Sequence, residues 1–270
     1  MRIAVSNIAW DVGEDETIAA LLASRSIDAI DVAPTKYFAP DETVTAAAVD
    51  AVRRWWSARG IEITGMQSLL FGTHGLNVFG PTEVQEKMLG RLAEVAAIAR
   101  DLGASRLVFG SPKNRDRGML SDDAADAIAV PFFNRLGDIA VSYGVSFCIE
   151  PNPPRYGCNF LTNSGDAAAF VRRVGHPAIA MHLDTGSIAI SNEDPQALIR
   201  DNADIIGHIH ISEPDLIPVA DGPLHSVVAA SLRQTLPRHV VSIEMLATRE
   251  EPHPQTIDRA LAVTRRHYGD

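Results

Sequence analysis

Four residues of types that bind metal ions stand at the ends of short apolar runs in the second half of the sequence. They are Glu150, Asp184, His210 and Glu244, separated by 34, 26 and 34 residues. The first of these runs spans residues 145–149 and leads directly into Glu150. A strand and the helix that follows it take roughly 30 residues, so this spacing predicts that each of the four ends one strand of a series of strand–helix units.

In a parallel barrel the C-terminal ends of all strands open on one face, which would bring the four side chains together. Three carboxylates and one imidazole form a hard, oxygen-rich ligand set that suits Mn²⁺ or Mg²⁺ and tolerates Zn²⁺ or Co²⁺. Any one of the acids could instead be an ordinary charged residue of a barrel rim. Because all four end consecutive strands, the sequence predicts one divalent metal ion as a cofactor, with open positions for substrate oxygens.

Two further histidines, His182 and His208, stand two residues before Asp184 and His210. Side chains alternate along a strand, so each histidine faces the same way as the ligand that follows it, one layer deeper in the barrel. We expect these histidines to orient the metal ligands or to fill a polar layer, rather than to be additional ligands.

The elements needed to position these residues can be placed along the whole chain, and residues 1–270 are predicted to form one α/β domain, a (β/α)8 barrel. Such barrels typically have about 250 residues. Asp41 is predicted to cap the second helix. For the first half of the chain, strands are expected at residues 3–7, 28–32, 61–67 and 106–110, and helices at 14–24, 41–59 and 82–102.

The composition is that of a soluble globular protein, with 46% hydrophobic and 21% charged residues. A net charge of −10 opposes non-specific attraction to nucleic acid and to anionic lipid. No apolar stretch approaches the roughly 20 residues that cross a bilayer, and the N-terminus does not resemble a secretion signal. The two cysteines, Cys148 and Cys158, are expected to be free thiols, so the sequence predicts a cytoplasmic protein without nucleic-acid or membrane partners.

Three loops after predicted strands carry residues that could contact a substrate. Residues 68–80 form a long apolar loop that is expected either to cover the site with His74 or simply to pack on the barrel rim. Residues 111–117 include Lys113 and Arg115, whose charges would suit an anionic or polyhydroxylated ligand but would also suit a solvated surface. The proline-rich loop at residues 151–160 is predicted to be a preformed pocket wall.

The order of the four candidate ligands, with the phrases Leu183-Asp184-Thr185-Gly186, His208-Ile209-His210 and Ser242-Ile243-Glu244-Met245, resembles the xylose isomerase-like TIM barrels. That superfamily includes ketose 3-epimerases, hydroxypyruvate isomerase, inosose isomerases and dehydratases, and endonuclease IV. The resemblance extends over essentially the whole chain. It is strongest to the bacterial sugar phosphate isomerase/epimerase proteins, partly through the segment 108–115.

The resemblance implies that Glu150 and Glu244 both bind the metal and also carry out the catalytic step. One would remove a proton from the carbon beside a sugar carbonyl, giving a metal-stabilised enediolate, and the other would return a proton. Return to the same carbon gives epimerisation, and return to the neighbouring carbon gives aldose–ketose isomerisation. The resemblance therefore implies an isomerase or epimerase of a small sugar, sugar acid or sugar phosphate.

Two positions depart from the epimerase pattern. Those enzymes carry a histidine three residues after the metal-binding aspartate and an arginine six residues after the metal-binding histidine, where this chain has Ser187 and Leu216. Substrate contacts must therefore come from a different set of side chains. The candidates are His74, Lys113, Arg115, Asn152, Ser187 and Glu213.

Other functions stay open at this point. A related lyase would expel a hydroxyl group from an inosose-like or dehydroshikimate-like substrate, and a non-catalytic barrel would bind a sugar or metal without turnover. A nuclease of the endonuclease IV type is disfavoured by the negative charge and by the small number of ligands. Relatives are often dimers or tetramers, so the resemblance implies a homo-oligomer, with Trp55 or Trp56 as a candidate subunit contact.

Overall fold

Eight parallel strands pair in chain order, and the last strand pairs with the first, so the sheet closes into a barrel. The computed structural model describes residues 1–40 and 43–269. The predicted (β/α)8 barrel is confirmed. Strands β1 to β8 are Arg2–Ser6, Ala29–Val32, Glu62–Met66, Arg106–Phe109, Ser146–Ile149, Ile179–Asp184, Ile206–Ile211 and Val240–Ile243.

Helices pack around the outside of the barrel between successive strands. In the described part of the chain, α1 to α9 are Asp15–Ser24, Ala46–Ser57, Thr82–Leu102, Asp122–Tyr143, Ser164–Val174, Thr185–Ser191, Pro195–Asn202, Pro223–Thr235 and His253–Tyr268. Helix α2 begins later than predicted, because Thr45 caps it by accepting a hydrogen bond from the backbone N–H of Ala48 at 3.2 Å. The predicted cap, Asp41, lies outside the described residues.

The main apolar core lies between the strands and the helices. Phe109 of β4 packs edge-on against Phe133 of α4, with ring centroids 5.2 Å apart, and Phe133 packs in the same way against Phe170 of α5 at 5.3 Å. Edge-to-face contacts of this kind suit the charge distribution of aromatic rings. This layer fixes the strands, and therefore the residues at their C-terminal ends, on a rigid scaffold.

The interior of the barrel is narrow and holds polar groups. A Cβ atom at Gly65 of β3 would lie 2.6 Å from Oδ1 of Asp31 and 2.8 Å from Nε2 of His208. A side chain at this position would displace both groups. Glycine is therefore required here because two polar side chains from β2 and β7 already fill the space.

Several surface features of the fold bear on the sequence-based expectations. No helix among the described residues is long and apolar enough to cross a membrane. Cys148 and Cys158 are both free and buried, as expected. Trp56 is buried, whereas Trp55 is only partly buried and has the guanidinium of Arg59 3.7 Å from a ring centroid.

Candidate functional site

The barrel brings the candidate ligands from strands β5 to β8 to one place at its C-terminal face. Glu150 and Glu244 directly follow β5 and β8, and Asp184 is paired with His210 across β6 and β7. Ligand atoms of Glu150, His182, Asp184 and His210 lie within 4.8 Å of one another. Three of the four predicted ligands therefore form a tight group, which His182 joins.

Glu244 is connected to this group through His210. Its Oε2 atom lies 3.2 Å from Nδ1 of His210. The charge of Glu244 is also one of the causes that raise the pKa values of Glu150 and Asp184. The structure thus places Glu244 beside the group that Glu150, Asp184 and His210 form.

His182 of β6 and His208 of β7 lie next to the candidate ligands. Their rings stack with centroids 5.2 Å apart, and the ring of His182 also meets that of His210 at 4.3 Å. Neither nitrogen of His182 has a hydrogen-bond partner in the described part of the chain, and Nε2 lies 3.8 Å from Oε1 of Glu150. His182 is therefore placed to be a ligand as well as to support one, and its orienting role stays a prediction.

Burial and mutual repulsion perturb the carboxyl groups of the site. Burial, together with the charges of Glu244 and Asp184, raises the pKa of Glu150 to about 8. Burial and the charge of Glu244 raise the pKa of Asp184 to about 6. Burial alone would lower the pKa of His210, but Glu244 and other nearby carboxylates outweigh it and raise that pKa to about 9. Without a bound cation, Glu150 and His210 therefore keep their protons at neutral pH.

These residues fit a bound divalent cation. The imidazole of His182 is kept neutral, because burial and then the charges of His210 and His208 lower its pKa well below the usual value. A neutral imidazole with two unpartnered nitrogens can donate a lone pair, and carboxylate oxygens are good ligands for hard cations. A dication would also relieve the repulsion between the carboxylates.

Hydrogen bonds hold each of the three carboxylates in place. Asp184 accepts from Oγ of Ser212 at 2.6 Å and from the backbone N–H of Ser187 at 2.6 Å, where α6 begins. Glu150 accepts from Nδ2 of Asn152 at 3.1 Å. Glu244 accepts from Nε2 of Gln67 at 2.6 Å.

A cavity of about 230 Å³ opens beside the two glutamates. Glu150, Glu244 and Gln67 lie on its wall together with apolar residues such as Leu70 and Phe109. None of the described residues that line it is positively charged. The cavity is therefore polar and acidic where it meets the candidate metal centre, and apolar elsewhere.

The predicted substrate-binding residues differ in where they lie. Asn152 and Ser187 contact the metal-site carboxylates directly. Arg115 is fully buried beside the β4 end, with Nη2 3.5 Å from the carbonyl of Gly110 and with Nε and Nη1 unpartnered among the residues described here. Its charge lowers the pKa of Glu150, which burial and neighbouring acids raise.

The other predicted contacts lie away from the 230 Å³ cavity. Lys113 and His74 are both exposed, the latter in the loop after β3, and neither lines the cavity. Glu213 accepts from the backbone N–H of Ala220 at 3.1 Å and lies 3.2 Å from Nε2 of His225. Substrate contact by these three residues stays a prediction.

The residues of the site that were not assigned a role from the sequence include Asp31 and Gln67. Asp31, on β2, has its Oδ2 atom 2.8 Å from Nε2 of His208. Gln67 binds Glu244 across the barrel, 177 positions away in the chain. Both stand at or near the end of a strand, which is the signal that could have identified them.

Comparisons with known proteins agree with this architecture. A curated ketose 3-epimerase from Arthrobacter globiformis is 27% identical over 131 residues, which cover 47% of this chain and 43% of that protein. The aligned region thus spans less than half of the length of this curated relative. Residues 19–267 match the family described as the xylose isomerase-like TIM barrel.

Solved structures resemble the chain over its full length. A crystal structure of D-psicose 3-epimerase in the presence of D-fructose superposes with a TM-score of 0.81 at 18% identity, covering 100% of both chains. The IolI protein with a bound zinc atom superposes with a TM-score of 0.75 at 16% identity, again covering 100% of both chains. At these identities the likeness concerns the fold. Since the family match spans residues 19–267, the chain belongs to the xylose isomerase-like TIM barrel family.

Proposed function

We propose that this protein is a divalent-metal-dependent isomerase or epimerase of a small sugar, sugar acid or sugar phosphate. The observation that carries the proposal is that Glu150 and Glu244 line one cavity and adjoin the Asp184 and His210 side chains. Two carboxylates at one cavity can remove and return a proton on a bound substrate. The sugar epimerase relatives support this class of reaction.

Glu150, Asp184, His210 and Glu244 would hold the metal ion. Their mainly oxygen donors suit Mn²⁺ or Mg²⁺ and allow Zn²⁺ or Co²⁺. The zinc atom in the IolI structure supports a metal site in a barrel of this fold. When bound, the ion would polarise the sugar carbonyl and stabilise the negative charge that develops as the neighbouring carbon loses its proton.

The protein's own residues would position and move the proton. One of the two glutamates takes it from the carbon beside the carbonyl, and the other delivers a proton. Asn152 and Gln67 each donate a hydrogen bond to one of these glutamates, which restricts the direction in which its free oxygen lone pairs point. The apolar part of the cavity wall limits water access to the carbon that has lost its proton.

Deuterium exchange from D₂O into sugars tests the proposal directly. The purified protein is incubated with a panel of ketoses that includes D-fructose and D-tagatose, with Mn²⁺ or with EDTA, and the carbon-bound hydrogens are followed by NMR. We expect exchange beside the carbonyl with Mn²⁺ and none with EDTA. A sugar that binds without exchange would support a non-catalytic barrel, and loss of water from the sugar would support the lyase.

A further inference from the structure

Gln67 has two polar ends, of which only one is satisfied by the protein. Its side chain follows β3 directly, and the residue is 2% exposed. Nε2 donates to Oε1 of Glu244 at 2.6 Å, whereas Oε1 of Gln67 has no hydrogen-bond partner among the described residues. Gln67 also lines the 230 Å³ cavity.

The orientation of this amide follows from chemistry. Nε2 of Gln67 donates the hydrogen bond to Oε1 of Glu244, and an amide NH₂ group can only donate, so the carbonyl oxygen of Gln67 points away from that carboxylate. A buried acceptor without a hydrogen-bond donor lowers the stability of the folded protein, because its desolvation is not compensated. This indicates that a donor from outside the chain completes the site.

The neighbouring wall does not supply that donor. Ser68 has a left-handed backbone with φ of 55°, and the turn places buried Leu69 and Leu70 beside the cavity. The hydroxyl of Ser111, on the cavity wall, donates to Oδ1 of Asn114 at 2.6 Å. The unpartnered carbonyl oxygen therefore lies on a cavity wall whose neighbouring residues are mainly apolar.

We propose that Gln67 is a specificity-determining residue that accepts a hydrogen bond from one substrate hydroxyl while it holds Glu244. This inference rests on the proposed function and adds a contact to it. Oε1 of Gln67 accepts a hydrogen bond from one hydroxyl group of the sugar. Nε2 of the same side chain holds the Glu244 carboxylate, which exchanges the proton. A sugar that lacks this hydroxyl leaves the acceptor unpaired and binds less tightly.

A series of monodeoxy ketoses tests this contact. Binding to the Mn²⁺-loaded protein is measured by calorimetry for a ketose that undergoes exchange and for its deoxy analogues. In the wild type, we expect one analogue to bind roughly tenfold more weakly than the parent. In Gln67→Met, which keeps an unbranched side chain but removes the acceptor, that difference should fall below about twofold. Gln234→Met, an exposed position on α8, is the matched control.

The outcomes separate this inference from the proposed function. If wild-type protein exchanges deuterium but Gln67→Met keeps the same discrimination, the contact is wrong and Gln67 only supports Glu244. A fall in Mn²⁺ affinity alone would lead to the same conclusion. If Gln67→Met does not fold, Gln67→Leu removes the same acceptor with a side chain of similar size and must likewise lose the discrimination. If the wild type neither binds nor exchanges any ketose, the proposed function fails and this inference fails with it.

Discussion

The Nε2 atom of His208 lies 2.8 Å from Oδ2 of Asp31, and both side chains are buried beneath the candidate metal centre. Burial alone would raise the pKa of Asp31, but the attraction of His208, and then of His210, outweighs it and lowers that pKa to about 2. The pair therefore combines a buried charge with a hydrogen bond that joins β2 to β7. It forms a polar floor under the centre.

Loss of the negative charge of Asp31 should destabilise the fold. We expect Asp31→Asn to lower the free energy of unfolding of the metal-free protein by about 3 kcal/mol, because it disrupts a buried charged pair. Asp204→Asn is the control, since Asp204 pairs with Arg172 at 2.8 Å on the surface and should change stability by less than about 1 kcal/mol. Urea denaturation measures both. If both variants lose the same free energy of unfolding, the Asp31–His208 pair contributes no more to stability than a surface ion pair does.

The absence of a side chain at Gly110 makes room for Glu150. A Cβ atom there would lie 1.7 Å from Oε2 of Glu150. We therefore expect Gly110→Ala to displace this carboxylate and to weaken Mn²⁺ binding by at least about tenfold, as measured by calorimetry. Gly90→Ala is the control, because no atom lies within 4 Å of a Cβ at this exposed position in α3. It should leave Mn²⁺ affinity unchanged and stabilise the fold by about 0.5–1 kcal/mol.

The sequence predicts those parts of the fold that local patterns encode. Helix α3 has the predicted bounds, because a glycine with φ of 91°, Gly103, ends it. Helix α6 is not predicted, because it has only seven residues and its N-cap, Asp184, is also a candidate ligand at a strand end. Helix α8 was also missed, although Pro223 is at its first position.

The gathering of the candidate ligands follows from strand-end positions and barrel geometry, which is why the sequence can predict it. Contacts across the barrel cannot be predicted in the same way. Asp31 and His208 are 177 positions apart, and their distance depends on strand register and on the small residue at Gly65. Local periodicity carries no information about such pairs.

Metal binding should strengthen as the pH rises. The metal-free centre holds protons on Glu150, with a pKa raised to about 8 mainly by burial, and on His210, with a pKa raised to about 9 by carboxylates that outweigh burial. Mn²⁺ must displace these protons, so its affinity should increase between pH 6 and 9 with proton release. Calorimetry in buffers of different ionisation enthalpy measures both quantities. An affinity independent of pH would contradict a site built from these groups.

The same pKa shifts also predict how the stability of the metal-free protein changes with pH. A carboxyl group whose pKa is higher in the folded than in the unfolded protein stabilises the fold at low pH, and this stabilisation is lost as the pH rises towards the folded-state pKa. A histidine with a raised pKa likewise stabilises the fold at low pH, and its contribution is lost as the pH rises through the folded-state pKa. From the raised pKa values of Glu150 and His210 we therefore expect the metal-free protein to melt at a lower temperature at pH 9 than at pH 7. Saturating Mn²⁺ should remove most of this difference, because the cation takes the place of the protons.

The two glutamates at the cavity should be needed for proton exchange in a way that other acids are not. We expect Glu150→Gln and Glu244→Gln each to slow deuterium exchange into a ketose by roughly 10²- to 10⁴-fold, because an amide cannot accept the carbon-bound proton. Glu94→Gln, which removes an exposed acid paired with Arg91 on α3, should leave exchange unchanged.

Metal content must be measured on the same samples, since each glutamine also removes a candidate ligand. Exchange is therefore compared at Mn²⁺ concentrations that saturate each variant, as judged by calorimetry. A variant that is saturated with Mn²⁺ and still exchanges at the wild-type rate would show that its glutamate does not carry the proton. If both variants behaved in this way, the proton would have to move through a group other than the two carboxylates that line the cavity.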